Sequence, residues 1–270
     1  MKPESNNLAR FAAAKAAERL KTLTANLRLA KKHPGEAGPI HDLRVSIRRF
    51  NQSLRIFKEV WDHGHYRKMR RRLRKLMELC GAVRNCDIAI QVLEEAGAPA
   101  KGPLKAHLRK LRLHGENALK ERLQDWDFHW RSWVRPQAGK HRTVNTRVRQ
   151  VLRPLEREYA KAGRTAARPE TNPEKLHELR LAAKHLRYTL EIFGPLAGAE
   201  WEQEMERIRD VQELLGAVND CVTSSALVKD HDHDAAAVKR LLGKKLALFR
   251  RRAGHRLSWP AGSNKKRSND

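Results

Sequence analysis

His41-Asp42-Leu43-Arg44-Val45-Ser46-Ile47-Arg48, near the start of the chain, is answered 136 positions later by His177-Glu178-Leu179-Arg180-Leu181-Ala182-Ala183-Lys184. Both stretches run on in step, to Leu54 and Phe57 in the first and to Leu190 and Phe193 in the second. Further on, Gly81-Ala82-Val83 with Cys86 is matched by Gly216-Ala217-Val218 with Cys221. A repeat of this length exceeds any solenoid unit, so it reads as duplication of a whole half-domain. At about 100° per residue, His41, Arg44 and Arg48 fall within roughly 60° of one another. His177, Arg180, Lys184 and Arg187 fall within about 80°. Leu43, Ile47, Phe50, Leu54 and Phe57 collect on the opposite side of the first helix, as Leu179, Ala183, Leu186, Leu190 and Phe193 do in the second. Each helix therefore has a core face and, opposed to it, a row of cations headed by a histidine.

The rest of the chain has the same helical period, and no strand alternation competes with it. Helices are predicted over 6–32, 40–61, 65–96, 103–133, 142–162, 173–194, 199–230 and 234–256. Breaks are expected at His33-Pro34-Gly35 through Pro39, at Gly97-Ala98-Pro99, at Gly102-Pro103, from Gly163 through Pro173 and at Gly194-Pro195. Short connections between amphipathic helices favour antiparallel neighbours. The expected fold is all-α: two four-helix bundles, 6–133 and 142–256, related by the duplication through a pseudo-two-fold, with 257–270 a basic flexible tail.

The chain carries 57 Lys and Arg against 31 Asp and Glu, a net charge of +26 and a pI near 10.7. Such an excess repels itself unless a polyanion is near, so nucleic acid, an acidic membrane surface or a phosphate polymer is the expected partner class. Apolar residues make up 40% of the sequence, enough for a globular core. Three cysteines, Cys80, Cys86 and Cys221, form no disulfide framework and fit a reducing cytoplasm. The N-terminus does not read as a signal peptide and no stretch is long and apolar enough to span a membrane. A soluble cytoplasmic protein without a membrane association is expected, and nothing in the sequence sets its oligomeric state.

The histidine-headed rows differ from an ordinary solvated face. Such a face interleaves Glu with Lys for i,i+4 pairing, whereas positions 43–58 contain no acid. Arg67, Arg70, Arg71 and Arg74 add an i, i+3, i+4, i+7 stripe, with Met69, Leu73, Leu76 and Cys80 on the apolar side. Arg207 and Arg209 are sparser echoes, and Arg84 follows a break expected at Gly81. Arg142, Arg147, Arg149, Arg153 and Arg157 make a further basic helix that reads as solvated or anion-facing alike. Guanidinium forks and imidazole edges give phosphate oxygens several directed, charge-assisted hydrogen bonds each. Metal binding at His41 or His177 is not expected, because the residues one turn on are cations.

These motifs resemble the conserved-histidine α-helical domain family (CHAD) over roughly residues 6–256. The resemblance rests on His41-x-x-Arg44-x-x-x-Arg48-Arg49, Leu73-Arg74-Lys75-Leu76 and Gly81-Ala82-Val83-Arg84-Asn85-Cys86-Asp87. It rests equally on Leu176-His177-x-Leu179-Arg180-x-x-x-Lys184-x-Leu186-Arg187-Tyr188-x-x-Glu191 and Leu215-Gly216-Ala217-Val218-Asn219-Asp220. It implies two four-helix bundles around a basic surface or channel that binds inorganic polyphosphate, with association with polyphosphate granules. On that resemblance His41, Arg44, Arg48, His177, Arg180, Lys184 and Arg187 are the first expected phosphate contacts, and Arg49, Arg70, Arg74 and Arg84 the next. Tyr188 and Glu191 are expected to orient the row. The family's Arg-Asp after the glycine reads Arg84-Asn85 here, which displaces the acid to Asp87. Some relatives carry an N-terminal triphosphate-hydrolysing domain; none is expected in this sequence, which opens on the helical pattern.

The expected activity is therefore non-catalytic binding of polyphosphate, without a cofactor, in a groove lined by the rows of both repeats. A nucleic-acid binder is the first rival, since phosphate contacts dominate affinity for either polymer. Against it, aromatics are 6% of the chain and base stacking is poorly provided for. A metal-dependent phosphohydrolase is the second rival, resting on His231-Asp232-His233-Asp234, which reads more simply as a helix cap. No phosphate-cradling glycine loop or nucleophile triad accompanies it. Trp126, Trp130 and Trp133 share a helix face and are expected to pack in a core, with Cys86 and Cys221 as small buried fillers.

Overall fold

A computed structural model describes residues 7–99, 101–124, 126, 134–137, 143–168, 170–194, 200–253 and 257. Among these residues the regular structure is entirely helical. The helices are α1 (Leu8–Lys32), α2 (Ala37–Ile56), α3 (His63–Glu95), α4 (Pro103–Gln124), α5 (Val144–Ala166), α6 (Pro173–Phe193), α7 (Glu200–Val228) and α8 (Asp232–Ala253). Two isolated β-bridges, Asn7 with Thr143 and Trp61 with Pro136, join loop segments.

Local chemistry sets the helix starts. Asn7 caps α1 by accepting from the Arg10 amide, Asp62 caps α3 through the His65 amide, and Asn172 caps α6 through the Lys175 amide. Pro173 follows Asn172 at the first helical position, where its missing N–H costs nothing. Pro39 exploits the same tolerance. It lies in the first turn of α2, so that helix begins at Ala37 rather than at residue 40, inside the break expected from the proline. As a result His41 and His177 are each the fifth residue of their helices.

Three expected breaks are absent or displaced. Gly81 lies within α3, which runs unbroken from His63 to Glu95. Gly163 lies within α5, whose end at Ala166 is four residues later than expected. A Cβ on Gly163 would stand 2.5 Å from the Leu257 carbonyl oxygen, so this glycine serves close backbone approach rather than chain reversal. Leu257 itself is buried, whereas 258–270 of the expected tail lie outside the described residues. The fourth helix runs to Gln124 and does not include Trp126, while residues 127–133 of its expected span lie outside the described residues. Trp126 follows the helix, buried, with the Arg122 guanidinium 5.7 Å from its ring centre. Trp130 and Trp133 lie outside the described residues.

The chain divides into two compact units. The first comprises residues 1–149 with 223–239, and the second 150–222 with 240–270. In the first unit α1 packs on α2, α2 on α3, α3 on α4, and α4 reaches back to α1, closing a four-helix arrangement. The predicted apolar face of α2 is its interior: Leu43, Ile47, Phe50, Leu54 and Phe57 are all buried. Phe11 meets Phe57 edge to face, ring centres 5.9 Å apart. Each such side chain contributes about 1.5–3 kcal/mol on burial. Arg112 of α4 ties the layer together. Its Nε donates to Asp87 Oδ1 (2.6 Å), Nη1 to Glu116 Oε2 (2.9 Å) and Nη2 to the Gly35 carbonyl (2.7 Å). The displaced acid Asp87 thus has a structural partner between α3 and α4.

In the second unit Leu179, Ala183, Leu186, Leu190 and Phe193 of α6 are buried, as are Ile208, Val211, Leu215 and Val218 of α7. Tyr159, Phe193 and Phe249 are its largest fully buried side chains among the described residues. Burial pushes the Tyr159 phenol upward, so it stays protonated.

Candidate anion-binding site

In the first unit the exposed side of α2 faces α3 across a groove of about 940 Å³. Arg44, Arg48 and Asn51 line it from α2, and Tyr66, Arg67, Arg70, Arg71 and Arg74 from α3. Six guanidinium groups thus share one concavity, with Glu78 the only acid on its wall. The helical spacing of each row explains the alignment: residues three and four apart stand one above another on the same face. Crowding of like charge is sustained because long arginine stems spread their heads into solvent.

Arg70 is held in position. Its Nε donates to Asn51 Oδ1 (3.2 Å), its Nη1 to the Tyr66 hydroxyl (3.2 Å), and its guanidinium carbon stands 5.6 Å from the centre of the Tyr66 ring. Asn51 occupies the fourth position of the α2 row, three residues past Arg48, a spacing visible in the sequence but not read there as part of the site. Tyr66 lies one turn before Arg70, at a spacing equally visible in the sequence. Gly81 has a role different from the expected break. A Cβ there would lie 3.2 Å from Arg44 Nη1, so the missing side chain leaves room for the Arg44 head beside α3.

His41 stands at the N-terminal end of the row, opposite Arg84 of α3. Desolvation first, then Arg84, and after them Arg48 and Arg44 lower its pKa from the ordinary value, with Asp42 opposing in part. His41 therefore marks a place where positive charge is already in excess. Arg84 and Arg49 are half-buried and are not on the groove wall just described.

The second row sits in different surroundings. His177 Nδ1 lies 3.0 Å from Asn219 Oδ1 of α7, where Asn219 is the sequence counterpart of Arg84. A cavity of only about 30 Å³ adjoins it, lined mostly by Leu176, Leu215, Val218 and Val222. Arg180 and Lys184 are half-exposed on α6. Arg187 is engaged on several sides. Its Nε donates to Gln212 (2.7 Å), its Nη1 to Glu191 (2.7 Å), and it lies 4.5 Å from the Tyr188 ring centre. Tyr188 and Glu191 thus hold an arginine of the row. On α7, Arg207 pairs with Glu204 (2.9 Å) and Arg209 with Glu206 (2.7 Å).

The remaining candidates separate by burial. Arg147 of the basic helix α5 is a strut: its guanidinium donates to the Ile56 carbonyl at the end of α2 and pairs with Glu59 at 3.0 Å. Arg149, Arg153 and Arg157 are exposed. All three cysteines are buried and free, and burial pushes the Cys80 thiol up to about 12. Such thiols are inert fillers at neutral pH. His231 accepts from the Ala235 amide through its carbonyl at the start of α8, with Asp232 and Asp234 in the first turn. Among the described residues no group of three or more His, Cys, Asp or Glu could hold a metal ion. No described helix is long and apolar enough to cross a membrane.

Comparison with known proteins agrees with this architecture. The sequence pattern of the CHAD domain matches residues 14–229. The crystal structure of the CHAD domain from the plant Ricinus communis superimposes with a TM-score of 0.68 at 20% identity, covering 93% of this chain and 90% of that one. PptA from Streptomyces chartreusis gives 0.67 at 16% identity, covering 92% and 98%. No curated protein matches by sequence. With the family pattern spanning most of the chain and the all-α fold shared, the protein belongs to the CHAD domain family.

Proposed function

We propose that the protein binds inorganic polyphosphate without chemically altering it. The observation that carries this reading is the α2–α3 groove, where six arginines and one acid line a single concavity. Guanidinium groups in a row match an unbranched chain of phosphates, each offering oxygens to forked donors. The CHAD family's link to polyphosphate supports the same reading. His41, Arg44, Arg48, Arg49, Arg70, Arg74 and Arg84 are the proposed contacts of the first unit, and His177, Arg180, Lys184 and Arg187 those of the second. The matched motifs are proposed to descend from an internal duplication. A cytoplasmic protein recruited to polyphosphate granules is the cellular role this chemistry fits.

Competition at physiological salt tests the reading. Long-chain polyphosphate, duplex DNA, single-stranded RNA and ATP each displace a labelled polyphosphate, and the products are assayed for orthophosphate. Polyphosphate is expected to compete best and to remain intact. Preference for DNA would replace the reading by nucleic-acid binding, and metal-dependent orthophosphate release would replace it by hydrolysis. Neutralising six charges predicts a slope of log affinity against log salt of about −4. Replacing Arg44, Arg48, Arg180 and Lys184 together is expected to abolish binding while leaving helicity intact, because these side chains oppose the core face.

A further inference from the structure

We propose that polyphosphate binding is lopsided: the α2–α3 groove of the first unit carries most of the affinity, and the α6–α7 face of the second contributes little. This rests on the polyphosphate reading and sharpens where the site lies.

The sequence repeat pairs α3 with α7 at an offset of 135 residues. The buried positions agree: Leu73 with Ile208, Leu76 with Val211, Val83 with Val218 and Cys86 with Cys221 are all buried. The exposed positions do not. Of the α3 arginines that line the groove, Arg67 is matched by Glu202, Arg70 by Met205 and Arg71 by Glu206, and Arg74 alone finds a cation, Arg209; Arg72, off the groove wall, is matched by Arg207. Arg209 is itself paired with Glu206. A polyanion approaching the first half of α7 meets carboxylates at the places where α3 presents guanidinium groups. Like-charge approach costs what opposite-charge approach gains, so the two faces differ in sign and not merely in strength.

The α6 row does not restore the balance. Arg187 is spoken for by Gln212 and Glu191, and His177 by Asn219. The cavity at His177 is about 30 Å³ against about 940 Å³ for the α2–α3 groove. The first adjoins a single histidine edge, whereas the second has six guanidinium groups on its wall. Held arginines add to the contrast, because Arg70 is prepositioned by Asn51 and Tyr66 toward the groove.

Two variants with equal loss of charge test the proposal in the full chain: Arg48→Gln/Arg70→Gln/Arg74→Gln, and Arg180→Gln/Lys184→Gln/Arg209→Gln. Equal charge removal cancels any general effect of the net charge. Affinity for long-chain polyphosphate is expected to fall about 100-fold in the first and less than about 10-fold in the second. The salt slope should flatten by about 2 in the first and by less than about 1 in the second. Equal losses, or a larger loss in the second, would overturn the proposal while leaving polyphosphate binding in place. A wild-type protein that does not bind polyphosphate would remove both readings. The counterpart pair Arg74→Gln and Arg209→Gln, both exposed, repeats the test without risk to folding: the first should weaken binding several-fold and the second should not.

Discussion

The first halves of α3 and α7 occupy matching places in the repeated sequence, and they carry opposite charge. Arg67, Lys68, Arg70, Arg71, Arg72, Arg74 and Lys75 crowd the one, and Glu202, Glu204, Glu206, Asp210 and Glu213 outnumber Arg207 and Arg209 on the other. Their buried faces keep the same apolar register. The comparison teaches that packing and surface charge answer to different constraints. A core position must match its neighbours in volume, and a wrong residue there costs several kcal/mol. An exposed position changes sign at little cost to stability, so it follows the ligand rather than the fold.

The largest effect expected separates fold from site. Arg112→Met strips Asp87 and Glu116 of a half-buried partner and should lower stability by about 2–4 kcal/mol, read as a fall in Tm with polyphosphate affinity unchanged. Arg70→Met, on an exposed side chain, should do the reverse. A variant of Arg112 that folds normally and fails to bind would merge the two roles.

Glycine contrasts give the next effect. Gly163→Ala drives a Cβ onto the Leu257 carbonyl and should cost roughly 1–3 kcal/mol in thermal denaturation. Gly81→Ala meets only the end of the Arg44 side chain. Its helix gains the propensity of alanine, about 1 kcal/mol, while Arg44 is displaced from the groove. Stability should hold or rise there, and affinity should fall several-fold.

The charge inversion can also be reversed. Glu202→Lys with Glu206→Lys places cations on α7 at the positions where α3 has them. Affinity for polyphosphate should rise and the salt slope should steepen by about 1. No change would mean that the α7 face lies out of the polymer's reach.

A smaller effect lies in pH. Desolvation, Arg84, Arg48 and Arg44 hold the His41 pKa below its ordinary value, with Asp42 opposing. A bound polyanion raises it again, so the complex holds more protons than the free protein. Affinity should therefore rise as pH falls below about 6.5, by no more than about tenfold, and His41→Asn should level the profile. For folding alone the sign is opposite. The unfolded imidazole takes its proton first, so stability declines over the same window.

Much of this was legible in the sequence, and the failures have physical reasons. Helical period and cap chemistry located eight helices, because a 3.6-residue apolar repeat and an Asn or Asp before it are local signals. The buried faces of α2 and α6 followed from the same period. Gly81 and Gly163 misled, since a glycine that ends a helix and one that admits a neighbour look alike until the neighbour is known. Arg187 and Arg147 read as free cations because their partners, Gln212, Glu191, Glu59 and the Ile56 carbonyl, are brought to them by the tertiary fold or hidden in the helix register. Asn51 was overlooked in the row because it is uncharged, although its spacing was in view. The acidity of α7 is present in the letters, but the apolar motif it shares with α3 carries no information about it.

Arginine-directed labelling, read by mass spectrometry with and without long-chain polyphosphate, tests the central claim most directly. Protection of Arg44, Arg48, Arg67, Arg70, Arg71 and Arg74, with Arg153, Arg157 and Arg209 labelled at unchanged rates, is the predicted result. Protection spread evenly over α5, α6 and α7, or absent from the α2–α3 groove, would contradict it.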